Sequence, residues 1–185
     1  SFAFLILIQF NFLTILLGMG SMLLAFAYPF MKRITYWPQL FLGLTFNWGI
    51  IMAWAAYNNS ISIEIITLYV LAIFWTLGYD TIYGIQDISD DEIIGLKSTS
   101  IKFKKNIKKF VTISYLITCL IAVYLFKNTI GLNIFTLLLS LFLISLFYQV
   151  IKFKTNNSKT CLDAFKFNNI SGMILFSAIL SLNLQ

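Results

Sequence analysis

Five of the chain's seven acidic residues fall in one stretch, Tyr79 to Thr99: Asp80, Asp87, Asp90, Asp91 and Glu92. If Asp80 to Asp91 is helical, at about 100° per residue Asp87 lies ~20° to one side of Asp80 and Asp91 ~20° to the other. The three carboxylates then share one narrow stripe, with Gly84 leaving room beside it. Asp87 and Asp91 form an i,i+4 like-charge pair, which weakens a helix unless something positive sits between them. A divalent cation suits the place, because hard cations such as Mg²⁺ take oxygen ligands.

Cations and aromatic rings complete the set. Lys97 follows the acidic stretch, Lys32 and Arg33 close an earlier apolar run, and Trp48, Trp54, Trp75, Tyr79 and Tyr83 stand in or beside the apolar segments. Carboxylates, a divalent metal and cations are what a diphosphate ester requires. Metal and cations neutralise the leaving diphosphate, and aromatic faces stabilise a carbocation. These residues point toward isoprenoid chemistry.

Composition sets the class. The chain is 59% hydrophobic and 11% charged, with a mean hydropathy of +0.87; soluble domains average about 45–50% apolar and about 25% charged. This is an integral membrane protein. Histidine is absent and the two cysteines, Cys119 and Cys161, are far apart in sequence, so zinc sites, histidine bases and disulfide scaffolds are excluded.

The elements that must hold the carboxylates are membrane helices. From Ser1 to Phe30 the apolar run is too long for one crossing of about 30 Å, so Ser1–Ile8 reads as the tail of one helix and Phe12–Phe30 as the next span. Further spans are expected at Trp37–Tyr57, Ile61–Tyr79, Phe110–Phe126, Leu132–Ile151 and Asn168–Leu184, giving six complete helices and part of a seventh. Loops 31–36, 80–109 and 152–167 then share one side. That side holds twelve of the thirteen basic residues; Lys127 alone lies opposite. The asymmetry places the acidic stretch on the cytoplasmic side, or on the matrix side of an organelle. The basic run Lys102 to Lys109 reads as an anchor to anionic headgroups, and nothing in the pattern calls for nucleic acid.

Four ordered strings resemble the UbiA superfamily of intramembrane prenyltransferases, in its hydroxybenzoate branch. They are Tyr28-Pro-Phe-Met-Lys-Arg33, Asn47-Trp-Gly-Ile-Ile-Met-Ala-Trp-Ala-Ala56, Tyr79-Asp-Thr-Ile-Tyr-Gly-Ile-Gln-Asp87 with Asp90-Asp91, and Ile94-Gly-Leu-Lys-Ser-Thr99. Phe165-Lys-Phe-Asn-Asn169 followed by Gly172 is similar to the family's entry into its last helix. The resemblance implies one all-α transmembrane bundle of nine spans. Two Asp-rich motifs face each other across its central cavity and hold Mg²⁺ and a polyprenyl diphosphate.

Asp87 and Asp91 match the second motif. The first, of the form NDxxDxxxD, is absent, so residues 1–185 correspond to roughly the C-terminal two-thirds of such a domain. By itself the chain is expected to be inactive, needing an N-terminal part that supplies the first motif. The implied reaction is polyprenyl transfer to 4-hydroxybenzoate in ubiquinone biosynthesis. Its implied place is a bacterial inner membrane, in preference to a mitochondrial one, with the active face cytoplasmic.

The site assignments follow from both readings. Asp87 and Asp91 are the metal ligands, and Asp80, deeper at the membrane boundary, is a site residue by default. Arg33, Lys32 and Lys97 are candidates for diphosphate or acceptor carboxylate, or are there for topology alone. Tyr83 lines the cavity or packs. Asp90 and Glu92 are expected to be solvated or capping. The alternatives are a menaquinone or haem O branch of the superfamily, disfavoured by the Tyr79–Tyr83 and Gly95–Thr99 strings; a transporter, which would show polar residues toward both faces; and an inert membrane remnant.

Overall fold

A computed structural model of the protein describes residues 2–182. Among them there is no strand, and the helices follow the apolar runs. In chain order they are α1 (Phe2–Leu7), α2 (Phe12–Ile34), α3 (Pro38–Phe46), α4 (Trp48–Asn58), α5 (Ile63–Tyr83), α6 (Ile88–Ile94), α7 (Thr99–Lys102), α8 (Ile107–Leu125), α9 (Ile134–Lys152), α10 (Ser158–Lys166) and α11 (Asn168–Ser181). Among the described residues, five segments are long and apolar enough to cross a membrane: α2, α3 with α4, α5, α8 and α9. α11 follows the last expected span, whose end at Leu184 lies outside the described residues, as does Ser1 at the other end.

Polar residues that interrupt the apolar pattern make the ends and breaks. Asn11 caps α2 by accepting from the Thr14 N–H at 2.9 Å, and its Nδ2 donates to the Ala55 carbonyl at 2.7 Å, tying the start of α2 to the end of α4. The expected span Trp37–Tyr57 is broken at Asn47, whose Nδ2 donates to the Gly43 carbonyl (2.8 Å), the Ala72 carbonyl (3.3 Å) and Thr76 Oγ1 (2.8 Å). A short amide that competes for backbone groups interrupts the helix ladder. The spare bonding then goes to α5.

Between helices in lipid there is little hydrophobic driving force, so close approach and interhelical hydrogen bonds hold the bundle. α5 is central, packed by α8, α3, α4 and α10. At Gly78 a Cβ would stand 2.3 Å from Tyr115 Cε1, so only glycine lets α8 come this close. Tyr69 Oη donates to the Leu44 carbonyl at 2.7 Å, and Trp48 Nε1 to the Leu17 carbonyl at 3.0 Å.

Candidate active site

The acidic stretch is not one helix. α5 ends at Tyr83, residues 84–87 form a turn with i→i+3 bonds, and α6 starts at Ile88. The single stripe through Asp80, Asp87 and Asp91 is therefore interrupted. Nor is the space at Gly84 free for a ligand. A Cβ there would lie 2.7 Å from Ser100 Oγ and 3.2 Å from Gln39 Nε2, because α7 is docked against the end of α5. That docking is polar and buried. Thr99 N–H donates to Gln39 Oε1 (2.9 Å), Ser100 Oγ donates to the Thr81 carbonyl (2.8 Å), and the hydroxyls of Thr81 and Thr99 share a hydrogen bond of 2.7 Å.

One cation beside Asp91 comes from the chain itself. Lys32 Nζ lies 3.4 Å from Asp91 Oδ2, and Asp91 is only 7% exposed. Asp80 lies in the last turn of α5. Lys97 is brought to Lys32: its N–H donates to the Lys32 carbonyl at 2.7 Å and its Nζ to the Ile34 carbonyl at 3.2 Å. Arg33 is exposed. Asp90 is exposed too, and Glu92 pairs with Lys104 at 2.8 Å, away from the cluster. Among the described residues no three His, Cys, Asp or Glu side chains close into a metal cage. Asp87 and Asp91 still suit Mg²⁺, which keeps several waters and binds through one or two carboxylates plus phosphate oxygens.

Deeper along α5 lies a pocket of about 330 Å³, lined by Phe46, Asn47, Trp75, Thr76, Tyr79, Phe165, Lys166, Asn168 and Asn169. Its wall runs up toward the carboxylates, since Phe165 packs on both Tyr79 (ring centroids 5.9 Å apart) and Tyr83 (4.7 Å). Tyr83 packs on Phe165, which lines the pocket, and is not itself among the lining residues. Sequence reasoning missed α10, which delivers Phe165, and missed the amide character of the pocket. The polar breaks at Asn47 and Asn168–Asn169 in otherwise apolar segments were the available signal. Cys161, on α10, is buried with Sγ 3.3 Å from the Lys154 carbonyl, and burial pushes its thiol up, so it is no nucleophile.

Comparison with known proteins decides the family, because the UbiA prenyltransferase family pattern matches residues 1–170. The chain belongs to the UbiA prenyltransferase family. It is 40% identical over 181 residues to a mitochondrial 4-hydroxybenzoate polyprenyltransferase of Bos taurus, a match covering 97% of this chain and 48% of that protein. It is 40% identical over 178 residues to a 4-hydroxybenzoate octaprenyltransferase of Psychromonas ingrahamii, covering 96% of this chain and 62% of that one. The chain thus spans roughly half the length of the curated relatives it matches. A UbiA homolog from Aeropyrum pernix K1 shares the fold, with a TM-score of 0.80 at 21% identity over 97% of this chain and 67% of that one. UbiA prenyltransferases are membrane proteins that generally use a divalent metal.

Proposed function

We propose that this UbiA chain binds the diphosphate head of a polyprenyl donor with Mg²⁺ and belongs to an enzyme that prenylates 4-hydroxybenzoate in ubiquinone biosynthesis. The observation that carries the reading is the Lys32–Asp91 pair in the acidic stretch that follows directly on α5, whose Trp75 and Tyr79 wall an aromatic, amide-lined pocket. The names of the relatives that match most of the chain support the same acceptor. We also place the carboxylates on the cytoplasmic face of a bacterial inner membrane, the mitochondrial matrix face being the equivalent in an organelle.

Asp87 and Asp91 would hold the metal, which supplies charge neutralisation for the departing diphosphate. The rest falls to the chain. Lys32, paired with Asp91 at 3.4 Å, would be free to turn to a phosphate oxygen once a metal held that carboxylate, so the buried charge would keep a cation. Lys97 and Arg33 add positive charge at the same end. Trp75, Tyr79 and Phe165 present ring faces to the allylic carbon as positive charge develops there. The acceptor carbon ortho to the phenol attacks C1 of the prenyl group, and its ring proton is then lost.

The test is transfer to 4-hydroxybenzoate by the chain joined to the N-terminal helices of a relative. Asp87→Ala and Asp91→Ala each lower turnover on the order of 10²-fold or more. Near-normal turnover in both variants overturns the assignment.

A further inference from the structure

Gln149, on α9, is fully buried and does not reach the pocket, yet both ends of its amide are hydrogen-bonded and one of its partners, Asn168, lines the pocket. Its Oε1 accepts from Tyr115 Oη of α8 at 2.7 Å. Its Nε2 donates to Ser171 Oγ at 3.1 Å and to Asn168 Oδ1 at 3.1 Å, both on α11. Asn168 Oδ1 accepts a second donor, Trp75 Nε1 of α5, at 3.0 Å, while Asn168 Nδ2 donates to the Phe165 carbonyl at 3.0 Å. With two N–H groups aimed at its oxygen, the Asn168 amide has one orientation. Trp75, Phe165 and Asn168 all line the pocket.

The indole held by this bond has no freedom elsewhere. Phe142 meets it edge-on at 5.1 Å and Tyr79 at 6.0 Å, and at Gly172 a Cβ would lie 3.5 Å from the far edge of its ring. A glutamine serving only to join helices could bond anywhere along α11; this one shares an acceptor with a pocket tryptophan.

We propose that Gln149 is a positioning residue: through Asn168 it holds the Trp75 indole as the inner wall of the pocket. The inference rests on the reading of that pocket as the place where the prenyl donor reacts, and it adds a residue two hydrogen bonds removed from the donor. Preorganising an aromatic wall saves the cost of ordering it when the ligand binds.

The experiment uses the chain joined to the N-terminal helices of a relative, purified into lipid nanodiscs. The indole N–H hydrogen bond of Trp75 is followed by ultraviolet resonance Raman difference spectra against Trp75→Phe, and binding of a prenyl thiodiphosphate with Mg²⁺ is followed by calorimetry. Gln149→Met, similar in shape but without the amide, shifts the Trp75 marker toward a weaker hydrogen bond. It also weakens donor binding about fivefold to tenfold, the value of roughly one hydrogen bond. In the Trp75→Phe background the same change costs no further affinity, because the residue through which it acts is gone. Gln149→Asn, shorter by one methylene, draws the amide back from Asn168 and gives the same readout should the methionine variant not fold. An unchanged Trp75 marker, or affinity losses that multiply in the double variant, overturns the positioning role. A wild-type chain that binds no donor would count against the functional reading instead, and the Raman result would still decide whether Gln149 holds Trp75.

Discussion

Lys32 Nζ and Asp91 Oδ2 stand 3.4 Å apart across 59 residues of sequence, joining the end of α2 to the first turn of α6. The lysine is 41% exposed and the carboxylate 9% by side chain, so the pair is asymmetric: Lys32 can turn to water, whereas Asp91 cannot. Removing the lysine is therefore the costlier half of the exchange.

Lys32→Met leaves a buried carboxylate without a cation and lowers stability by about 1–2 kcal/mol. If Mg²⁺ is the alternative partner, it rescues that variant. The rise in melting temperature on adding Mg²⁺ and a prenyl thiodiphosphate is larger in Lys32→Met than in the wild type. Scanning fluorimetry in detergent reads both, and equal shifts in the two proteins would remove Asp91 from the metal site.

Gly84 is required by α7 and not by a ligand. Gly84→Ala drives a Cβ to 2.7 Å from Ser100 Oγ and destabilises by about 1–3 kcal/mol through overpacking. Ser100→Ala removes the obstructing oxygen, so the double variant is more stable than the sum of the two single changes predicts. Additive melting shifts would show that the clash lies elsewhere.

Two glycines on membrane helices should behave oppositely. Gly78→Ala places a Cβ 2.3 Å from the buried Tyr115 ring, and α5 must then part from α8. We expect a loss of about 2 kcal/mol or more and poor yield of folded protein. Gly20→Ala meets no described atom within 4 Å and should be neutral or slightly stabilising. The comparison is made by melting both variants in one detergent.

The Glu92–Lys104 pair is short, at 2.8 Å, but its side chains are 41% and 55% exposed. Glu92→Gln should change stability by less than about 0.5 kcal/mol, because exposed pairs pay for fixing two long side chains and are screened by salt. A loss above about 1.5 kcal/mol would mean that α6 depends on this tether.

Membrane class, the order of the spans, the clustering of basic residues on one side and the acidic stretch were all legible in the residues. Each depends on composition or on short-range periodicity: a run of about twenty apolar residues must cross lipid as a helix wherever it lies in a chain. The four strings were enough to identify the UbiA family, which the match over residues 1–170 shows. What could not be read are contacts between distant helices. The room expected beside the stripe at Gly84 is filled by Ser100 of α7 and by Gln39, and the expected stripe of carboxylates is cut by the turn that this docking accompanies. Nor could the pairing of Asp91 with Lys32, 59 residues away, be read. Trp75 meets Asn168 across 93 residues, and Thr99 meets Gln39 across 60. Such bonds need donor and acceptor within about 3 Å, and no pattern of residue types carries that precision. Only the packing of α5 among its neighbours decides which amide meets which ring.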